Sequence, residues 1–284
     1  MIIVRLKGGL GNQMFQYAAA KQLAEKLNTS LKLDISFLQN NAADSTNREF
    51  ELDKFSIPIE IASAEEVKKV REKKTKNFIR PTVIREKYFG FVKPFLKAGN
   101  DYYMNGYWQS DKYFADVEAI IRSEFKFIEP LSDEYYIGMQ GKIVSSNSVS
   151  LHFRRGDYVS NSKTNKYHGV CSLAYYQNAV KTISDKISNP HLFVFSDDID
   201  WVKSNFHTGL PTVFVEKKNE NLHTDFRLMS MCRHNIIANS SYSWWAAWLN
   251  PNKEKIVIAP RRWYRNKRKQ LKAADRVPNS WIRI

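Results

Sequence analysis

Only two cysteines occur in the 284 residues, Cys171 and Cys232, far apart and outside any metal-ligand spacing. That excludes a disulfide framework and leads to the expectation of reduced thiols in a cytosolic setting. Hydrophobic residues make up 43% of the chain, yet no apolar run approaches the ~20 residues needed to cross a bilayer, so a soluble globular protein is expected. No basic leader or cleavage site precedes Met1-Ile-Ile-Val4, which reads directly as a strand, and the expected location is the cytoplasm, where the chain is made. No internal repeat is visible. Acidic residues are the other shortage: 29 Asp and Glu face 44 Lys and Arg, for a formal net charge of +15. Such an excess suits nucleic acid, an anionic membrane surface or phosphorylated small molecules, and says little about fold. It gathers in two clusters, Lys68, Lys69, Arg71, Lys73, Lys74 and Lys76, then Arg261, Arg262, Arg265, Lys267, Arg268, Lys269 and Lys272. Each fits a solvated face as well as it fits peripheral contact with an anionic leaflet at the inner face of a membrane.

The length allows two domains, and the polar stretch Ser145-Ser-Asn-Ser148 is the natural linker, dividing 1–147 from 148–284. The first half opens with a strand at Ile2–Leu6, a glycine-rich turn at Lys7-Gly-Gly-Leu-Gly-Asn12, and a helix carrying Phe15, Ala19, Leu23 and Leu27 on one stripe. Glycines let backbone N–H groups approach a ligand, and the helix start favours negative charge. Asp34, at the end of a second strand about twenty residues past the glycines, falls where a dinucleotide fold holds ribose. Met14 stands in place of the third fingerprint glycine, so an NAD-dependent oxidoreductase is only an alternative. Asn12 is either a ligand contact or a helix cap. Asp101-Tyr-Tyr-Met-Asn-Gly-Tyr-Trp-Gln-Ser-Asp111 mixes rings and amides in a way that suits sugars as well as core packing.

The second half alternates strand and helix, the pattern of a doubly wound parallel sheet. Val149, Leu151 and Phe153 alternate with Ser150 and His152 in a strand that runs into Arg154-Arg-Gly-Asp-Tyr158. Planar guanidinium groups at a strand's carboxyl end match phosphate oxygens, although strand alternation would let only one of the pair reach a ligand unless the strand ends before Arg155. The alternative is a solvated basic strand end. His191–Phe195 is a buried strand ending in Ser196, Asp197 and Asp198, and Asn235–Ala238 a short one ending in Asn239, Ser240, Ser241 and Ser243 at a helix start. Trp244, Trp245 and Trp248 read as helix-to-sheet packing. Asp198-Ile-Asp200 also satisfies, weakly, the acidic pattern that holds a divalent ion on a nucleotide diphosphate. If the three strands are neighbours, their ends form one cleft in which arginines and a helix N-terminus neutralise a diphosphate leaving group while the aspartates or serines address ribose and base, without requiring a metal. That arrangement is a nucleotide-sugar transferase, with the glycine turn facing the cleft from the other domain. A basic nucleic-acid-binding protein is the rival from another class.

Gly8-Gly-Leu-Gly-Asn-Gln-Met-Phe-Gln-Tyr17, His152-Phe-Arg-Arg-Gly-Asp-Tyr158, Phe195-Ser-Asp-Asp198 and Asn239-Ser-Ser-Tyr-Ser-Trp-Trp245 together resemble the bacterial α-1,2-fucosyltransferases of glycosyltransferase family 11 over nearly the whole chain. The resemblance implies a GT-B-like fold of two Rossmann-like domains facing a cleft, with the acceptor side in 1–147 and the GDP-sugar site in 148–284. It implies GDP-β-L-fucose as donor, inversion to an α-linked fucoside, no metal cofactor, and the 2-hydroxyl of a terminal galactose on an oligosaccharide or lipid-linked glycan as acceptor. Arg154 and Arg155 fall on the arginines associated with the diphosphate. His152 and Asp157 fall on the other polar members of that motif, and Asn239 to Ser243 on the downstream donor-side motif. Tyr242 stands where relatives often carry Phe. Asp157 is the nearest carboxylate to serve as general base, though it could instead orient an arginine; Asp34, His168 and a substrate-assisted route stay open.

Overall fold

The computed structural model describes residues 1–39, 48–72, 82–86, 91, 101–161, 165–166, 168–216, 222–271 and 273–284; Lys73, Lys74, Lys76 and Lys272 of the basic clusters lie outside them. Ile2, Ile3 and Val4 are wholly buried and β-branched, and they build β1 (Ile2–Arg5) near the middle of the first sheet. The glycine turn then leads into α1 (Leu10–Leu27), which closes on Asn28 in the left-handed conformation, φ 47°. Small residues Ala18, Ala19 and Ala20 let α1 lie close to the sheet, and its burial extends well beyond the expected stripe to include Gln13 and Gln16. β2 (Leu31–Asp34), α2 (Ser36–Gln39), α3 (Ala64–Glu72), β3 (Val83–Arg85), β4 (Tyr102–Asn105) and α4 (Glu118–Glu124) follow. The strands are parallel, in the order β2-β1-β4-β3. The aromatic and amide stretch after Asp101 therefore begins as an inner strand, with Tyr102, Tyr103 and Met104 buried.

The second sheet starts after α5 (Glu134–Val144), whose Asp133 cap accepts a 2.9 Å hydrogen bond from the Tyr135 N–H. The elements run β5 (Ser148–Phe153), α6 (Gly156–Ser160), α7 (Leu173–Ser184), β6 (His191–Ser196), α8 (Ile199–Asn205), β7 (Thr212–Phe214), α9 (Leu222–Met231), β8 (His234–Ile236), α10 (Ser241–Leu249), β9 (Val257–Ala259), α11 (Lys267–Leu271) and β10 (Ile282–Arg283). All pairings are parallel, in the order β10-β9-β8-β5-β6-β7. The chain works outward from β5 to β7, then returns to β8 on the other side and proceeds to β10. This is the expected doubly wound sheet, with its reversal between β5 and β8. One face of β5, carrying Val149, Leu151 and Phe153, packs with Tyr176, Ala179 and Ile183 of α7 and with Val202 and Phe206. Its other face carries Ser150, whose Oγ accepts a 2.7 Å bond from Asn235 of β8. Trp244, Trp245 and Trp248 are buried and mutually packed, as their reading as core predicted.

The chain divides into compact units at Glu129/Pro130. Ser145–Ser148, expected to be the linker, is the tight connection from α5 to β5 inside the second unit. α5 belongs there because it packs against α9 and because the Tyr135 hydroxyl accepts a 2.8 Å bond from the Glu216 N–H.

Candidate active site

Sheet order makes β8, β5 and β6 neighbours, so the three polar strand ends singled out from the sequence come together at one edge. The edge is a topological switch point, where open α/β sheets take ligands. β5 ends at Phe153, which releases both arginines from strand alternation. Arg154 Nη1 lies 2.8 Å from Asp197 Oδ2, and Arg155 Nε lies 3.0 Å from Asp198 Oδ2. The Arg155 backbone N–H donates to Asp197 Oδ1 at 2.8 Å, and its guanidinium stacks 3.3 Å above the centre of the Trp201 ring. Arg154 in turn lies 5.5 Å from the centre of the Tyr158 ring. Ser196 Oγ accepts from the Asp198 N–H at 3.0 Å, fixing the turn that aims both carboxylates. Gly156 is needed for this closeness: a Cβ there would stand 2.6 Å from Asp197 Oδ2. The aspartates thus hold the arginines.

His152 faces away from Phe153, with its ring centre 6.0 Å from that of Tyr242 at the start of α10. It is 6% exposed, and its Nδ1 is buried without a hydrogen-bond partner among the described residues. Burial, reinforced by Arg154 and opposed by Asp197, brings its pKa down from the usual 6.5 to about 4, so the ring is neutral at ordinary pH. A neutral imidazole with an unused polar atom is suited to a ligand hydroxyl or base edge rather than to pairing with phosphate. Ser240 caps α10 by accepting from the Tyr242 N–H at 3.3 Å, and Ser243 Oγ donates back to the Ser240 carbonyl at 3.4 Å. Ser241 sits half-buried at the helix start.

Asn239 has a different assignment from the rest. Its Nδ2 donates to the carbonyls of Gly169 (3.0 Å) and Trp263 (3.2 Å), and its Oδ1 is 3.5 Å from Cys171 Sγ. It pins two loops beside the site. His168 is part of that pinned loop, with its ring stacked on Tyr158 at 5.0 Å. Asp157 is the second residue of α6, and its side chain lies outside the described residues.

In the first unit the glycine turn follows β1 and is braced from inside. Gly8 has φ +79°, and a Cβ on it would come 2.5 Å from Asn12 Nδ2. Gln109 donates to Asn12 Oδ1. Gln13 Nε2 donates to the Gly8 carbonyl (2.9 Å) and the Glu49 carbonyl (2.8 Å), while Gln16 bridges Lys7 to the Gly106 carbonyl. Asp34 is 4% exposed; it accepts from the Tyr103 hydroxyl at 2.5 Å and from the Ser36 N–H at 3.0 Å. Those bonds occupy the group that a dinucleotide reading, or a base role for Asp34, would have needed.

The sequence profile described as Glycosyl transferase family 11 matches residues 1–284. The chain belongs to glycosyltransferase family 11. It is 35% identical to the Escherichia coli O-antigen biosynthesis glycosyltransferase WbnK, covering 98% of this chain and 99% of that protein. It is 33% identical to an Escherichia coli alpha-1,2-colitosyltransferase over 100% and 99% of the two chains. To the Bos taurus galactoside alpha-(1,2)-fucosyltransferase 1 it is 26% identical, over 86% of this chain and 64% of that one. The family 11 chain is therefore a glycosyltransferase, which displaces the nucleic-acid-binding and oxidoreductase alternatives.

Gln13 and Gln16 were not singled out as site residues; Gln13, near the helix start, reads as a cap. The available signal was their position three apart on a helix whose neighbouring residues are nearly all apolar or small. No group of three or more His, Cys, Asp and Glu side chains able to hold a metal occurs among the described residues. No helix among them is long and apolar enough to cross a membrane. A cavity of about 720 Å³ opens at the opposite edge of the second sheet, lined by Asn147, Arg233, His234 and Asn250. Its amides are already engaged with backbone carbonyls.

Proposed function

We propose that this family 11 enzyme transfers L-fucose from GDP-β-L-fucose, with inversion, to the 2-hydroxyl of a terminal galactose on a glycan acceptor. The observation that carries the donor assignment is the pairing of Arg154 with Asp197 and of Arg155 with Asp198 at the switch point of the second sheet. A GDP diphosphate arriving there competes with carboxylates already within reach of the same guanidiniums. In the reaction the acceptor oxygen bonds to the anomeric carbon as the bond from that carbon to the diphosphate oxygen breaks. The electron pair leaves with GDP. Arg154 is the diphosphate's direct partner, because Arg155 is clamped between Asp198 and the Trp201 face. Preorganised positive charge aimed at the developing leaving-group charge is the largest catalytic effect such a site has available. Asp197 and Ser196 act by holding the arginines, Ser240 and Ser243 shape the α10 start, Ser241 stands nearest the ligand there, and His152 meets the nucleotide or sugar as a neutral ring. Asn12 contributes to donor binding from the glycine turn. The acceptor proton passes to Asp157 as general base, and no metal takes part.

A second reading keeps the same site and changes the sugar. The similarity to an alpha-1,2-colitosyltransferase favours the 3-deoxy counterpart of fucose as an alternative donor. The decisive experiment incubates the enzyme with a β-galactoside and each GDP-sugar separately, with and without EDTA, and assigns the product linkage by NMR. An α-1,2-fucoside formed equally in EDTA supports the proposal. Turnover with the 3-deoxy donor alone transfers the assignment to the second reading. Loss of activity in EDTA removes the metal-free claim, and Asp157→Asn retaining full turnover removes the base.

A further inference from the structure

We propose that the segment 261–271 is a membrane-docking strap that holds the enzyme on an anionic lipid surface, with Leu271 entering the bilayer interface. The segment leaves β9 at its carboxyl end, the same edge of the second sheet that carries the paired arginines. Its sequence, Arg-Arg-Trp-Tyr-Arg-Asn-Lys-Arg-Lys-Gln-Leu, contains no acid. Arg261, Arg262, Arg265 and Lys267 are all exposed. Trp263 and Tyr264 point the other way, 5% and 3% exposed, and anchor the strap to the protein.

A five-residue helix does not hold itself in water, and α11 is braced by the Gln270 side chain. Gln270 Oε1 accepts from the Trp263 N–H at 2.7 Å and the Tyr264 N–H at 2.9 Å, while its Nε2 donates to the Arg261 carbonyl at 3.0 Å. The clamp folds the strap back on itself. The residue after the clamp, Leu271, is 82% exposed, the highest value among the exposed large hydrophobic residues described. A lone exposed leucine is ordinary on a protein surface. One that follows a run of exposed positive charge has the composition of an interfacial anchor, with charge for lipid headgroups and an apolar side chain for the acyl boundary. A nucleic-acid surface would use the charge and leave the leucine without a role. Docking by this edge would bring the enzyme to a lipid-linked acceptor, but the strap stands independently of the donor and acceptor assigned above.

The test is co-sedimentation of the full chain with vesicles of phosphatidylcholine alone and of equal parts phosphatidylcholine and phosphatidylglycerol, run beside single-stranded RNA binding. The expected result is binding to the anionic vesicles only, weakened at least about tenfold by Arg261→Glu with Lys267→Glu, and also weakened by Leu271→Glu. Transfer to a soluble galactoside stays unchanged in both variants, so a failure of docking is distinguishable from a failure of the transferase reading. Three results overturn the proposal: no binding to anionic vesicles, binding that ignores Leu271→Glu, or RNA bound more tightly than vesicles and weakened by the same substitutions.

Discussion

The two units end their central strands in opposite ways. At β1 and β4 of the first unit the loops are held by neutral amides, Gln13, Gln16 and the Gln109–Asn12 pair, joined by the Glu86 carboxylate, which accepts from the Tyr107 and Trp108 N–H groups rather than from a guanidinium. At β5 and β6 of the second, the loops are held by charge against charge, Arg154 with Asp197 and Arg155 with Asp198. Buried amides that satisfy backbone carbonyls fix a loop and leave little capacity to respond. Half-exposed ion pairs contribute little to stability but can exchange partners when a stronger anion arrives. The proposed function accordingly gives the first edge a neutral ligand and the second a phosphate that reorganises its partners.

The widest break in that comparison comes from Arg154→Ala. Turnover should fall by about three orders of magnitude or more, because the substitution removes charge stabilisation of the leaving group. The melting temperature should hardly move, since the Arg154–Asp197 pair is partly exposed. Arg154→Lys sharpens the point: it keeps the charge and loses the planar fork, so recovery of only a small part of the rate is expected. Steady-state kinetics beside thermal melts separate the two effects. A variant that melts early and turns over normally when folded would contradict the division drawn here.

The opposite signature is expected from Gln16→Ala. Its amide is wholly buried and serves both the N–H and the carbonyl of Lys7 as well as the Gly106 carbonyl. Removing it strands buried backbone groups and should cost about 2–3 kcal/mol of stability, read by urea denaturation. Gln16→Glu should be worse, because a buried carboxylate offers no N–H to either carbonyl. An unchanged denaturation midpoint would show that the glycine turn does not depend on this brace.

What the sequence disclosed follows the same line. β5 and β6 were legible because apolar runs stop abruptly at charged residues, and charge at a strand end is visible without coordinates. The neutral brace was not, since a glutamine in a helix carries no mark of what it touches ninety residues away. Asp34 shows the converse: its spacing from the glycines suggested ribose, but Tyr103, on a strand two places across the sheet order, had already claimed it. The boundary was misplaced because Ser145–Ser148 has the composition of a linker, whereas unit membership is decided by what α5 packs against. The last strand, β10, is two residues long and carries no periodicity to read.

His152 offers the finest test, because it belongs to the charged edge by position and to the neutral kind by chemistry. Its folded-state pKa of about 4 lies below the usual 6.5. Above about pH 6.5 the ring is neutral in both folded and unfolded chains, and its contribution to stability is fully present. As pH falls from there toward about 4 the unfolded chain takes up the proton first, so that contribution drains away. Between pH 7 and pH 5 the loss should be about 1–2 kcal/mol. His152→Asn, which does not titrate, should flatten that part of the pH–stability curve while lowering donor affinity through the lost ring. Urea titrations of both proteins at several values in this range would show it. Parallel curves would mean that the ring titrates alike in folded and unfolded chains, whereas a wild type that gains stability over the variant as pH falls would mean that Asp197 holds the ring protonated and that His152 belongs with the arginines after all.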